Sequence, residues 1–263
     1  MSPSPLAITQ SGAVARITLT QPEIRNAFSD EVIAEITAAF RDVGARPDVR
    51  AVVLAAEGPA FCAGANLNWM RRMADYTRAE NLADAALLAE MLRVLYECPH
   101  PTIARVQGDV YAGGMGLVAA CDMAVAVETA GFCLSEVKLG LIPATISPYV
   151  IRAMGARAAQ RYFLTAERFD AAEALRIGFV HEVVPADQLD ARVDGLLKAL
   201  TQASPHAVRA CKRLVLEVAE REIDDALIAR TVEGIADIRA SEQAREGVQA
   251  FLHKRKPSWL LAD

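Results

Sequence analysis

Residues 104–117 read Ala104-Arg105-Val106-Gln107-Gly108-Asp109-Val110-Tyr111-Ala112-Gly113-Gly114-Met115-Gly116-Leu117. The same region closes with Phe132-Cys133-Leu134-Ser135-Glu136-Val137-Lys138-Leu139-Gly140-Leu141-Ile142-Pro143-Ala144. Three glycines within four residues follow an apolar strand candidate, Thr102 to Gln107. Without side chains they let backbone approach a ligand at the mouth of a helix. N–H groups exposed in that way stabilise negative charge as it develops on an oxygen. Glu136 is the one carboxylate in the apolar segment behind them. Donors plus a single poised carboxylate point to proton transfer beside a carbonyl.

Outward from this segment, strand and helix patterns alternate. Val14, Ile17 and Leu19 mark a strand over Ala13–Thr20. Ser29 is an N-cap for a helix with Val32, Ile36, Phe40 and Val43 on one face. Arg50 to Ala55 is nearly all apolar, as in a parallel strand covered on both sides. Beta, alpha, beta in such short order is an α/β pattern. A second Gly-rich turn, Gly58 to Leu67, leads to a helix from about Arg78 to Glu97 with Leu82, Leu88, Leu92 and Leu95 inward. Met123 to Val127 and Phe179 to Val184 read as strands. Tyr149 to Phe163 reads as a helix interrupted at Gly155, and Asp170 with Glu173 as a capping box. After Pro185 the pattern is helical. Asp187, Ser204-Pro205 and Asp224 open successive helices, and the change in pattern places a boundary near residue 200.

The 263 residues are 53% hydrophobic and 23% charged, which is the composition of a folded globular chain rather than a disordered one. The 28 Lys and Arg against 33 Asp and Glu give −5, so no general nucleic-acid footprint is expected. Met1 to Thr9 lacks the cationic and apolar regions of a secretory signal, and no segment is long and apolar enough to span a membrane. A cytoplasmic location is the resulting expectation. Five cysteines and four histidines are dispersed, without metal-ligand spacing. No metal is expected. Cys62 beside Gly64 would need a base to act as a nucleophile, and no histidine is near it in sequence.

Several segments together resemble the crotonase family, the enoyl-CoA hydratase/isomerase proteins. They are Arg25-Asn26-Ala27, Phe61-Cys62-Ala63-Gly64-Ala65-Asn66-Leu67, Tyr111-Ala112-Gly113-Gly114, Cys121-Asp122, Ser135 to Pro143, Ala172-Glu173-Ala174 with Gly178-Phe179-Val180, and Lys254-Arg255-Lys256-Pro257. Within the family, Asn66-Leu67-Asn68-Trp69-Met70 and Leu139 to Tyr149 are similar to bacterial methylglutaconyl-CoA hydratases. The hydratases of acyclic-terpene breakdown, acting on isohexenylglutaconyl-CoA, are close to these.

The resemblance implies an α/β fold with a spiral of ββα turns over residues 1–200. It also implies a helical region, residues 201–263, that covers the site and assembles trimers or dimers of trimers. By position it assigns the oxyanion-hole N–H groups to Ala65 and Gly114, and proton transfer to Glu136. Arg25, Ala63, Ala65 and Lys254 become contacts to CoA, which arrives as part of the thioester substrate; no separate cofactor is implied. Lys254 would reach the CoA of a neighbouring subunit, although His253 to Lys256 also reads as an ordinary solvated charge cluster. Arg71, Arg72 and Lys138 are candidate cations for a di-acid acyl tail. Leu117 stands at the family's first-glutamate position and Asn66 where many members carry Asp, so Glu136 is the only carboxylate expected at the reacting carbons. Three readings stay open: hydration of a glutaconyl-type CoA ester, double-bond migration in an enoyl-CoA, or a catalytically silent scaffold or RNA-binding relative.

Overall fold

The computed structural model describes residues 4–260; the first three residues of the Met1–Thr9 segment lie outside that range. Leu6–Ser11 (β1) and Val14–Leu19 (β2) form an antiparallel hairpin, turned at Gly12 with φ +54°. Asp30–Ala45 (α1) follows, capped by Ser29 as expected. Ala51–Ala56 (β3) and Ala60–Cys62 (β4) lead into Leu67–Ala74 (α2) and Arg78–Tyr96 (α3). Thr102–Val106 (β5) and Asp109–Tyr111 (β6) lead into Gly113–Ala120 (α4). Met123–Val127 (β7) and Gly131–Cys133 (β8) lead, through a 3-10 turn at Glu136–Leu139, into Ser147–Thr165 (α5). The chain continues through Phe169–Asp170 (β9), Ala171–Arg176 (α6) and Glu182–Val184 (β10). It ends in Leu189–Gln202 (α7), Pro205–Val218 (α8), Asp225–Ala240 (α9) and Glu242–Leu252 (α10).

Each ββα turn gives one strand to each of two sheets. The larger sheet has the order β1-β2-β3-β5-β7-β10, parallel apart from the β1–β2 hairpin. The smaller one has the order β4-β6-β8-β9. This is the expected spiral. All six residues of β3 are buried, because a strand central to a covered parallel sheet has no solvent face. The smaller sheet escaped the sequence reading because its strands are two or three residues long, too short to show a period of two.

Some local expectations change. Leu82 points outward and is 63% exposed; α3 buries Met91, Leu92 and Leu95 instead. Phe179 and Val180 are buried in a connection, and only Glu182–Val184 pairs as a strand. Asp170 caps α6, but Glu173 does not reach back to it. Its carboxylate accepts from Tyr162 Oη at 2.6 Å and from Arg176. Gly155 has φ +78° and kinks α5, as its sequence position implied.

The helical run begins as part of the core. Helix α7 packs on β3, β5 and β7, and the expected boundary at residue 200 falls inside it. Helix α8 is tied down by a part-buried cluster. Asp122 Oδ2 accepts from Thr102 N at 2.7 Å, Thr102 Oγ1 at 3.0 Å and Lys212 Nζ at 2.7 Å. Lys212, only 6% exposed at its side chain, also donates to the His100 carbonyl. Arg50 reaches the carbonyls of Ala203 and Trp259, which fastens the start of α8 and the C-terminal turn to the sheet.

Candidate active site

Ala65 owes its orientation to a single parallel bridge. Phe28 N donates to Gly64 O at 2.9 Å, and Asn66 N donates to Phe28 O at 2.9 Å. Consecutive residues of an extended segment point their N–H groups to opposite sides. The Ala65 N–H therefore faces away from Phe28. Gly114 lies in the first turn of α4, where N–H groups have no intrahelical acceptor.

Glycine is required where these two segments meet. A Cβ on Gly64, which has φ +84°, would lie 3.0 Å from Ala112 Cβ and 3.1 Å from Tyr111 O. A Cβ on Gly114 would sit 2.9 Å from both Cβ and O of Cys62. One on Gly113 would enter the Phe28 ring at 2.4 Å. Ala112, just before α4, has φ 47° and ψ −121°, a conformation costly for a residue with a Cβ. Its N–H is held by Cys133 O at 2.9 Å. Backbone contact, rather than side-chain chemistry, thus fixes the two segments against each other.

Glu136 begins the 3-10 turn after β8, which Gly140 ends in the left-handed conformation at φ 73°. Glu136 Oε2 is buried and, among the described residues, has no hydrogen-bond partner. Burial pushes the carboxyl above its usual range, opposed in part by its own backbone N–H. A carboxyl held this way suits proton exchange with a bound substrate. Cys62 does the opposite of a nucleophile: burial pushes its thiol up to about 12.

Ala65, Ala112, Gly113 and Glu136 line one cavity of about 580 Å³, walled otherwise by side chains of α2 and α3, apolar except for Asn81 and Asp84, by Phe28 and by residues 140–146. Gly114 is buried directly behind Gly113. The structure thus brings together the segments that carry Ala65, Gly114 and Glu136. Arg25 and Ala63 lie elsewhere but next to each other, since Ala63 N donates to Arg25 O at 2.9 Å. Arg25 is exposed and left-handed at φ 54°. Lys254 is exposed just beyond α10 and takes no part in the cavity wall of its own chain. Arg71 bonds Asn68, Arg72 bonds Asp30, and neither they nor Lys138 line the cavity.

Two expectations about carboxylates need correction. Leu117 is fully buried in the apolar core and faces no part of the cavity. A Cβ on the neighbouring Gly116 would instead meet Ile146 Cγ2 at 2.4 Å, and Ile146 borders the cavity. Glu136 is also not alone. Asp84 of α3 lines the same cavity, and its Oδ1 accepts from Trp69 Nε1 at 3.0 Å. Asn81, Asp84, Ala85 and Leu88 fall at helical spacing on one face. That face could have been found from the period, but charged residues in a helix read as solvent-facing. Among the described residues no lysine, arginine or histidine lines the cavity, and no group of histidine, cysteine and acidic residues forms a metal site. No helix among them is long and apolar enough to cross a membrane.

Two backbone segments converging on an apolar cavity, with an acid poised in its wall, define a class of site that activates a carbonyl and moves a proton beside it. The particular family is shown by comparison. A profile of the enoyl-CoA hydratase/isomerase family matches residues 9–260, and the chain belongs to that family. An enoyl-CoA hydratase from Shewanella pealeana superposes with a TM-score of 0.95 at 44% identity, over 97% of this chain and 96% of that one. Pseudomonas aeruginosa AtuE superposes with a TM-score of 0.93 at 35% identity, over 97% and 99% of the two chains. The enoyl-CoA hydratase ACTT6 of Alternaria alternata is 32% identical over 96% of this chain and 83% of its own length. The fold is that of the crotonases, and the protein is an enzyme of the enoyl-CoA hydratase type acting on acyl-CoA thioesters.

Proposed function

We propose that the protein adds water reversibly across the double bond of a branched enoyl-CoA ester. The observation that carries this reading is the buried Glu136 Oε2, unpartnered among the described residues, in the wall of the cavity that Ala65, Ala112 and Gly113 border. The thioester oxygen takes the N–H groups of Ala65 and Gly114. As the enolate forms, charge moves onto that oxygen, and each donor lowers the barrier by about 3 kcal/mol. Glu136 exchanges the proton at the α carbon. Arg25 and Ala63 hold the nucleotide end of CoA, in keeping with their proximity and the exposed guanidinium. Lys254 serves a neighbouring subunit's CoA, within a trimer or a pair of trimers.

For the acyl group, the resemblance of residues 66–70 and 139–149 favours 3-methylglutaconyl-CoA, hydrated to 3-hydroxy-3-methylglutaryl-CoA, or the related isohexenylglutaconyl ester. Such a substrate brings a distal carboxylate, whose cation would have to come from outside this chain's cavity wall. A second reading, a neutral branched enoyl-CoA, is favoured by that wall, which holds Asp84 and Glu136 and no cation among the described residues. Purified protein assayed against paired enoyl-CoA esters, with and without the distal carboxylate, tests both. Hydroxyacyl-CoA should form, and the faster member of the pair identifies the acyl class. A shifted enoyl-CoA as sole product would replace hydration with isomerisation.

A further inference from the structure

The reaction above gives Asp84 no role, and its one visible structural duty is to accept from the buried Trp69 indole. It is half-buried in an apolar cavity, and no ion pair reaches it among the described residues. Its one hydrogen-bond partner, the Trp69 indole, belongs to a side chain only 3% exposed and fixes one carboxylate oxygen. The other oxygen is left for something in the cavity. Asp84 and Glu136 border one cavity that no cation lines among the described residues, which leaves both carboxyls to whatever occupies it. Two walls are involved, α3 for Asp84 and the turn after β8 for Glu136.

We propose that Asp84 holds and deprotonates the attacking water, while Glu136 serves the α carbon. This rests on the hydration reading above. In the forward direction the water oxygen bonds to the β carbon as its proton passes to the Asp84 carboxylate. The electron pair of the double bond moves through the enolate, and the α carbon takes its proton from the Glu136 carboxylic acid. The two carboxyls carry one proton between them before and after the step. It passes back to Glu136 through solvent before the next turnover. The Trp69 N–H keeps the Asp84 carboxylate turned inward, which makes Trp69 a positioning residue.

The two roles separate in deuterium oxide. Exchange of the α hydrogen of a 3-hydroxyacyl-CoA needs only the oxyanion hole and Glu136, whereas hydration also needs the water. Asp84→Asn should lower hydration by roughly 10² or more and retain α-hydrogen exchange within a few-fold of the parent. Glu136→Gln should lose both. Trp69→Phe, which leaves both carboxylates in place, should lower hydration less than Asp84→Asn and also retain exchange. Asp84→Asn hydrating within twofold of the parent overturns the assignment. So does a parallel loss of hydration and exchange in Asp84→Asn protein whose circular dichroism matches the parent. A parent that hydrates no enoyl-CoA overturns the activity itself, and the assignment with it.

Discussion

Glu136 is placed where a carboxylate is expensive, and the cost has a pH dependence. Its folded value is raised above the ordinary 4.5 by burial. The folded chain therefore binds more protons at this group than the unfolded chain does between those two values. Stability falls as pH rises from about 4.5 through the raised value, and the loss is complete above it. Glu136→Gln removes the charge and keeps the shape. Its melting temperature should exceed the parent's at pH 8, with the gap closing as pH is lowered toward 4.5. Its turnover should fall by roughly 10² or more. Calorimetric melting across that range, beside the rate assay, checks both; a gap that widens toward acid pH would show that burial is not what perturbs this group. Glu136 was legible in the sequence because it stands alone in an apolar run. Asp84 was not. It sits among Arg78, Glu80 and Asn81, where a charge needs no explanation until packing shows which face of α3 turns inward.

At the scale of elements, the oxyanion site is made by a helix start and an extended segment pressed together with no side chain between them. Gly114→Ala tests that arrangement. The new Cβ would overlap Cys62 at 2.9 Å, against backbone that cannot swing aside. The expected loss is about 1–3 kcal/mol of stability from overpacking. Activity should fall by roughly 10², since a donor moved by even part of an ångström no longer meets the developing charge. Denaturant titration and the rate assay measure the two effects. Unchanged activity would take Gly114 out of the oxyanion hole. The glycine clusters and the strands of the larger sheet could be read from the sequence, since runs such as Arg50 to Ala55 are long enough to carry a signal. β4, β6, β8 and β9 could not. Their few residues pair only because the larger sheet has already set the spacing of the spiral.

The whole molecule presents apolar surface on its last two helices. Ile228, Val232 and Ile235 fall at helical spacing along α9, and Val248, Phe251 and Leu252 are exposed on α10, Phe251 at 82%. Such a concentration marks a surface that associates. In keeping with the proposed trimer, light scattering at micromolar concentration should give three or six chains per particle. A monomer would leave Lys254 without a neighbouring CoA to meet. The sequence pointed to this helical region through its period alone, yet it could not show that α7 packs into the core and that α8 is tied to it. That follows from Lys212, whose buried ammonium meets Asp122 ninety residues upstream. The pairing has a consequence for how the chain is made. Asp122 is synthesised long before its cation, and it sits at the junction of two central strands of the parallel sheet. Until residue 212 has cleared the ribosome, the Asp122 carboxylate, 26% exposed even in the finished fold, has only the Thr102 N–H and hydroxyl as partners. The spiral can therefore harden turn by turn behind the ribosome, and the ammonium of Lys212 fastens the helical tail onto it last.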